Sequence, residues 1–389
     1  MNPTRATIIA GGATIVGVLP MLLTGALAVQ LTTQLGFGAA GLGLVIASFR
    51  GTSAAATLFL GRVADRLGAS VSLRLATALS AISGIGIATT ARSWGTLVAW
   101  MVASGIALAL AQPASNRLVV NAVPPERQGL AFGLTKSSPP GASMLAGLSV
   151  PLIALTVGWR YSYWIAAGLA VVVHLLIGRR SPAARRAGRI RPKPIVRDPG
   201  TIAIFGLAFG IGNFATAVMP AFYVTAAVRA GTSAQIAGTL LATASAAAIL
   251  ARIGTGYASD RMASGHLRLC AKMMAAGAVG LALLMTQQPG FMAAGLLIGL
   301  SGAWGLNSVF WFAVMRAYAD TPGTTTGMVA TAGHGGAALG PIVFGIVAQT
   351  ISFGAAWAVA SIMAVMASFV LLLASRRLEG RAAATPPAT

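Results

Sequence analysis

Acidic residues are nearly missing from this chain: six Asp and Glu stand against 27 Lys and Arg in 389 residues. Each of the six, Asp65, Glu126, Asp198, Asp260, Asp320 and Glu379, falls between apolar runs or in the carboxyl-terminal tail. No carboxylate pair is therefore placed for acid-base chemistry inside an apolar element, and no acid cluster could hold a metal. A Walker-type phosphate loop is absent, as is HExxH. An enzyme is not expected, and neither a cofactor nor a metal. The lone Cys270 allows no intramolecular disulfide. Charged residues of both signs amount to 8%, where a soluble domain carries about a quarter; an ordinary soluble domain is excluded.

What the chain has instead is hydrocarbon: 56% hydrophobic residues and a mean hydropathy of +0.81. Apolar runs long enough to cross a bilayer as a helix recur from end to end, at about 6–30, 40–60, 73–91, 96–121, 129–157, 161–178, 200–227, 234–254, 269–286, 291–315, 325–350 and 355–375. Lipid cannot satisfy an open backbone, so twelve transmembrane helices are expected and no sheet. The stretch ALAV at 26–29 looks like a signal-peptidase site. The apolar run before it exceeds the roughly 7–15 residues of a cleaved leader, so an uncleaved first helix is expected.

A net charge of +21 would suggest nucleic acid in a soluble protein, but here its placement decides. With the amino terminus set in the cytoplasm, 20 of the 27 basic residues fall in cytoplasmic segments and only Arg92, Arg160 and Arg229 on the opposite face. This positive-inside bias predicts a multi-pass protein of a bacterial inner membrane with both termini cytoplasmic, lipid as its surroundings and no nucleic-acid partner. Trp94, Trp159, Tyr161, Tyr163 and Trp164 fall at predicted exits on the far face, as an interfacial aromatic belt would.

The chain repeats. Shifted by 195 residues, Gly36 meets Gly231, Gly43 meets Gly238, Gly61 meets Gly256, Asp65 meets Asp260 and Arg66 meets Arg261. A run of eight cationic residues and four prolines spans 179–200. Two six-helix halves are expected, residues 1–178 and 200–389, joined by a basic cytoplasmic linker at 179–199. GRVADRLG at 61–68 resembles the loop motif between helices 2 and 3 of the major facilitator superfamily, and GYASDRMASG at 256–265 resembles its degenerate second copy, with Ala263 where the first has Gly68. That resemblance implies two pseudo-symmetric six-helix bundles and a secondary transporter working by alternating access. It gives Gly61, Asp65, Arg66, Gly68, Gly256, Asp260 and Arg261 a gating role, the glycines allowing close approach of backbones. In helix 11, GHGGAALGPIVFG (333–345) carries Gly336, Gly340 and Pro341, read as a packing seam.

Four basic residues remain inside the spans. Arg50 lies ten residues before Leu60, roughly 15 Å deep, where an arginine costs at least about 2.5–3.5 kcal/mol and must face a cavity or a partner. Lys136 sits seven residues into span five and is a second cavity candidate. Arg117 and Arg252 fall near predicted span ends and are expected to reach the headgroups. No span contains a carboxylate to answer Arg50, so the missing anion is read as the substrate, which a guanidinium can hold through two hydrogen bonds. The resemblance supports this, since anion porters of the superfamily, among them nitrate/nitrite and small-carboxylate exchangers, use such arginines.

The predicted function is transport of a small, organic anion, with a co-transported or exchanged ion. Substrate-binding candidates are Arg50, Lys136, Asn213, Asn307, Tyr223 and Trp304, the uncharged ones being otherwise interhelical hydrogen-bonders. His334, ten residues into span eleven, is the candidate for proton coupling or, alternatively, a cavity-lining hydrogen-bonder. Export of drugs or hydrophobic solutes is the competing reading. Proton-driven drug exporters of the superfamily usually carry an embedded acid and often a helix-4 arginine, where this chain has Trp100. A monomer is expected, because two halves in one chain complete a pathway.

Overall fold

The computed structural model describes residues 2–178, 199–262, 264–318 and 322–384; Ala263 and all of the predicted basic linker but Pro199 lie outside them. Among the described residues the chain is helical and contains no strand. The helices are α1 (Pro3–Ala26), α2 (Ala28–Leu35), α3 (Ala39–Leu67), α4 (Ala69–Thr90), α5 (Trp94–Ala122), α6 (Pro125–Lys136), α7 (Ser138–Ser149), α8 (Trp159–Leu176), α9 (Pro199–Arg229), α10 (Ala234–Asp260), α11 (His266–Met285), α12 (Pro289–Ala317), α13 (Pro322–Thr350) and α14 (Phe353–Ala384).

These make the twelve expected spans, α1 with α2 forming the first and α6 with α7 the fifth. Among the described residues, ten helices are long and apolar enough to cross a membrane. The fifth span falls short because proline breaks it twice. Pro139 and Pro140 follow the junction at Ser137, and Pro151 lies in a π-helical turn at Val150–Ala154, each removing a backbone donor. The sixth, α8, opens on the polar sequence WRYSY.

Connections are short, so consecutive spans run antiparallel and the bundle has two ends. Pro3, Ala384 and the junction of 178 with 199 share what we term the terminal face; the turns at 36–38, 91–93, 155–158, 230–233, 286–288 and 351–352 form the distal face. The repeat is visible in the turns: Gly36 and Gly231, matched by the 195-residue shift, both adopt positive φ, at 69° and 92°. At the motif turns the positive-φ residues are Gly68, at 81°, and Gly265, at 83°. The second copy's turn glycine is thus two residues beyond Ala263, the position aligned with Gly68.

Packing repeats as well. In the first half α1 packs on α5, α7 and α8, while α5 also packs on α3 and α4, and α4 on α8. In the second half α9 takes the place of α1 against α12, α13 and α14; α12 packs on α10 and α11, and α11 on α14. The outer surface is aliphatic, with Leu175, Ile351, Leu250 and Phe59 largely exposed, as a lipid-facing surface requires.

The aromatic belt is only partly as expected. Tyr161 and Trp164 are exposed near the distal face, but Trp159 and Tyr163 are core residues packed edge to face with centroids 5.8 Å apart. Hydrogen bonding explains the difference: the Trp159 indole donates to Gln34 Oε1 at 2.6 Å, and Tyr163 exchanges a 2.8 Å bond with Thr24, so both polar atoms are satisfied inside. Trp94 is half-buried and donates to the Gly41 carbonyl.

The two halves meet through α3 with α13, α7 with α10 and α1 with α9. Glycine makes these contacts possible, and they cluster toward the distal face. A Cβ on Gly25 would stand 2.6 Å from the Pro220 carbonyl, and one on Gly147 would stand 2.7 Å from the Ala242 nitrogen. Gly43 lies against the Pro341 carbonyl and Gly345 against that of Ala39. At the rim, the Ala40 N–H at the start of α3 donates to Gln349 Oε1 of α13 at 2.9 Å. Gly336 and Gly340 serve a seam within one half, lying against Gly210 and Phe214 of α9.

Candidate functional site

Below the distal seal, four helices that meet across the interface each bring one basic side chain: Arg50 from α3, Lys136 from α6, Arg252 from α10 and His334 from α13. Lys136 lies eleven residues beyond the start of α6 and His334 twelve beyond the start of α13. At 1.5 Å per residue both sit about 16–18 Å from the terminal ends of their helices. Arg50 is eleven residues from the distal end of α3 and seventeen from its terminal end at Leu67, about 25 Å from that end. The contacts of Gly43 with Pro341 and of Gly345 with Ala39 set an antiparallel register of α3 on α13 that puts Arg50 level with His334, and Arg252 meets the Lys136 carbonyl across the halves.

Their hydrogen bonding is uneven. Arg50 Nε is buried and has no partner among the described residues. Lys136 Nζ has only a long contact, 3.4 Å, to Asn116 Oδ1, and its side chain remains open to solvent although protein surrounds it. Arg252 is buried and makes two hydrogen bonds: Nε donates to the Trp304 carbonyl at 3.1 Å and Nη1 to the Lys136 carbonyl. That second bond crosses between the halves. It is possible because α6 ends at Lys136, where the prolines that follow prevent an unbroken helix and leave its last carbonyls accessible.

Arg252 was expected to reach the headgroups, and it does not. Helix α10 continues to Asp260, eight residues past Arg252, and the guanidinium is buried against the Trp304 and Lys136 carbonyls instead.

The uncharged candidates divide. Asn213 and Asn307 line one narrow cleft within the second half, together with Phe209, Thr216 and Phe310. Asn213 Nδ2 donates to the Phe209 carbonyl at 2.8 Å, and Phe209 stacks on Phe310 at 4.7 Å with Trp311 edge-on at 5.0 Å. This cleft adjoins α13 beside Gly333, next to His334. Trp304 is half-buried and serves the basic group through its carbonyl. Tyr223 is fully buried, ten residues farther along α9 than Asn213 and within the distal seal, so the structure does not bring it to the basic cluster.

Of the motif residues, the side chains of Asp65 and Asp260 and the surroundings of Gly61 lie outside the described residues. The same holds for the side chains of the other four acids. Arg66 is exposed, and Arg261 lies over the Tyr257 ring, 3.4 Å from its centroid. Gly256 departs from expectation: a Cβ there would meet nothing within 4 Å, so it mediates no close backbone approach in this arrangement.

The pattern characteristic of the Major Facilitator Superfamily matches residues 9–341. The chain belongs to that superfamily. Among curated relatives, the probable nitrate/nitrite transporter NarK2 of Mycobacterium tuberculosis is 27% identical over 342 residues, covering 83% of this chain and 84% of its own. Among solved structures, a D-xylose-proton symporter superposes with a TM-score of 0.78 at 16% identity, over 95% of this chain and 97% of the other. The nucleoside transporter NupG superposes with a TM-score of 0.74 at 16% identity, over 94% and 99%. Those two likenesses establish the fold. This superfamily member is a multi-pass membrane transporter, and its family and relative are transporters rather than enzymes.

Proposed function

We propose that this superfamily member carries a small oxyanion by alternating access, and that Arg50 is its central contact. One observation carries the reading: a guanidinium at mid-depth whose Nε has no described partner, in a chain whose six acids all fall outside the apolar runs of the sequence. An arginine so placed costs at least about 2.5–3.5 kcal/mol to insert. An anion 4 Å away returns about 4 kcal/mol at the effective dielectric of partly wet protein. The planar fork also orients a trigonal oxyanion through paired hydrogen bonds. Lys136 adds attraction from the solvent-open side of the same space.

Because the halves are sealed distally, an anion reaches this site from the terminal face. With the termini in the cytoplasm, as the charge asymmetry predicts, that entrance is cytoplasmic. Neutralising Arg50 lowers the cost of closing the wet space, and rocking of one half on the other then opens the distal side. The relative is named for nitrate and nitrite, which supports including inorganic oxyanions beside organic ones.

The test is tracer uptake into proteoliposomes with a panel of nitrate, nitrite, formate and acetate, comparing the natural protein with Arg50→Gln and Arg50→Lys. Arg50→Gln is expected to lower transport of the preferred anion more than about tenfold, the equivalent of one lost charge-assisted interaction. Normal transport by both variants overturns the reading.

A further inference from the structure

A pocket of about 160 Å³ opens at the distal face between the two halves. Thr32 and Thr33 of α2, with Gly38 and Ala39 at the start of α3, form one wall; Thr225 and Arg229 of α9 form the other. The last two are four residues apart and so share one face of α9. Ala39 is eleven residues before Arg50, about 16 Å along α3, so the pocket and the central arginine are separate places.

The donors around the pocket decide what it can hold. Thr24, Thr32 and Thr33 each give the hydroxyl hydrogen to the carbonyl four residues back. Thr225 does not: it is 7% exposed, and its Oγ1 has no partner among the described residues. A buried hydroxyl left in that state is costly unless something in the pocket meets it. Arg229 is exposed, and its guanidinium carbon stands 4.9 Å from the centre of the Phe353 ring. The ring supports the group by its flat face, which leaves the in-plane N–H groups for a ligand. On the opposite wall, the first turn of α3 presents the positive end of a 29-residue helix. An unmet hydroxyl, a guanidinium and a helix amino terminus around one pocket fit an anion.

We propose that this pocket is a second, distal anion site, in which a small oxyanion of nitrate size is held between the first turn of α3 and the Thr225 and Arg229 side chains of α9. Its walls belong to different halves, so it is complete only while the distal side is closed, and an anion bound there favours that state. The inference goes beyond the carrier reading and does not depend on Arg50 contacting a cargo.

The test is protection of Thr33→Cys, in membrane vesicles, from an impermeant thiol reagent added on the distal side, with nitrate replacing the bulkier gluconate at constant ionic strength. Thr33 is exposed and lines the pocket, and its hydroxyl already serves the Val29 carbonyl, so the substitution spares the proposed donors. Nitrate should slow the labelling saturably. Arg229→Gln should raise the half-protecting concentration about tenfold, the loss of one charge-assisted contact, and Arg229→Lys should raise it less. Thr225→Val should raise it about threefold, with thermal unfolding in gluconate unchanged or improved, which a misfolded variant would not show. The same protection is expected when the measurement is repeated with Arg50→Gln, where central occupancy cannot contribute. Labelling that nitrate slows no more than gluconate does means that the pocket holds water only, and equal protection in Arg229→Gln and Thr225→Val means that the ion acts elsewhere; either result overturns the site. Protection lost with Arg50→Gln but kept with Arg229→Gln also overturns it, and returns the effect to the central arginine.

Discussion

Two glycines of similar crowding give the sharpest test of how the halves move. A Cβ at Gly147, on α7, would stand 2.7 Å from the Ala242 nitrogen and the Gly238 carbonyl of α10, which belongs to the other half. A Cβ at Gly302, on α12, would stand 2.6 Å from the Met273 carbonyl and 2.9 Å from the Gly277 nitrogen of α11, in its own half. Ordinary contact begins at 3.4 Å, so alanine at either position forces backbones apart by about 0.7–0.8 Å, an overpacking cost of about 1–3 kcal/mol. At Gly302 that cost falls on every state of the protein. At Gly147 it falls only on states in which the distal seal is closed, and a bias of about 1.4 kcal/mol shifts the closed-to-open ratio tenfold.

Gly302→Ala should therefore lower thermal stability, with distal accessibility unchanged. Gly147→Ala should raise distal accessibility by about 5- to 30-fold for 1–2 kcal/mol, with a smaller loss of stability. Accessibility can be read by labelling Thr225→Cys, a site 7% exposed in the distal seal, with a membrane-impermeant thiol reagent from the distal side. The native Cys270 is buried and gives little background. If Gly147→Ala loses as much stability as Gly302→Ala while Thr225→Cys labels no faster, the glycine seam between halves is ordinary core packing and the distal seal is not a moving surface.

Three further outcomes follow from individual contacts. Arg252→Gln cannot reach both the Trp304 and Lys136 carbonyls, so it should lose about 1–3 kcal/mol in detergent-solubilised unfolding; Arg252→Lys should not rescue it, because an ammonium lacks the fork. Tyr163→Phe removes a 2.8 Å bond to Thr24, whose hydroxyl keeps the Pro20 carbonyl. It should cost only about 0.5–1.5 kcal/mol and leave transport rates within error, an equal fall in transport refuting its purely structural role. A reporter fused to the carboxyl terminus should be active only as a cytoplasmic fusion; activity of a periplasm-dependent reporter there reverses the orientation drawn from the basic residues.

Architecture was legible because the bilayer imposes a length scale that composition reveals directly. The number of spans, their antiparallel order and the two-fold repeat all came from apolar runs and the recurring Asp-Arg pair. What the apolar runs could not show was where hydrogen bonding outlasts hydrophobicity: α3 extends to Leu67 and α14 to Ala384, well past the greasy cores of their spans. The belt expectation failed at Trp159 and Tyr163 for a related reason. An aromatic ring near a membrane exit satisfies its polar atom equally well with Gln34 or Thr24 as with a headgroup, and only the fold decides which is near.

The same limit hid Arg252 from the candidate site. Hydropathy ended its span at 254, two residues away, which makes snorkelling the natural inference; the helix in fact runs on to Asp260. The missing signal was nonetheless in the sequence, spread over two places. The run Lys136-Ser137-Ser138-Pro139-Pro140 announces a helix end in mid-membrane, and a helix end there exposes carbonyls that must find donors. In a chain this poor in charge, a nearby buried guanidinium is the donor best suited to that need. A fifth span broken at Ser137 pairs Arg252 with its open carbonyls and leaves Arg50 Nε as the buried donor without a described partner.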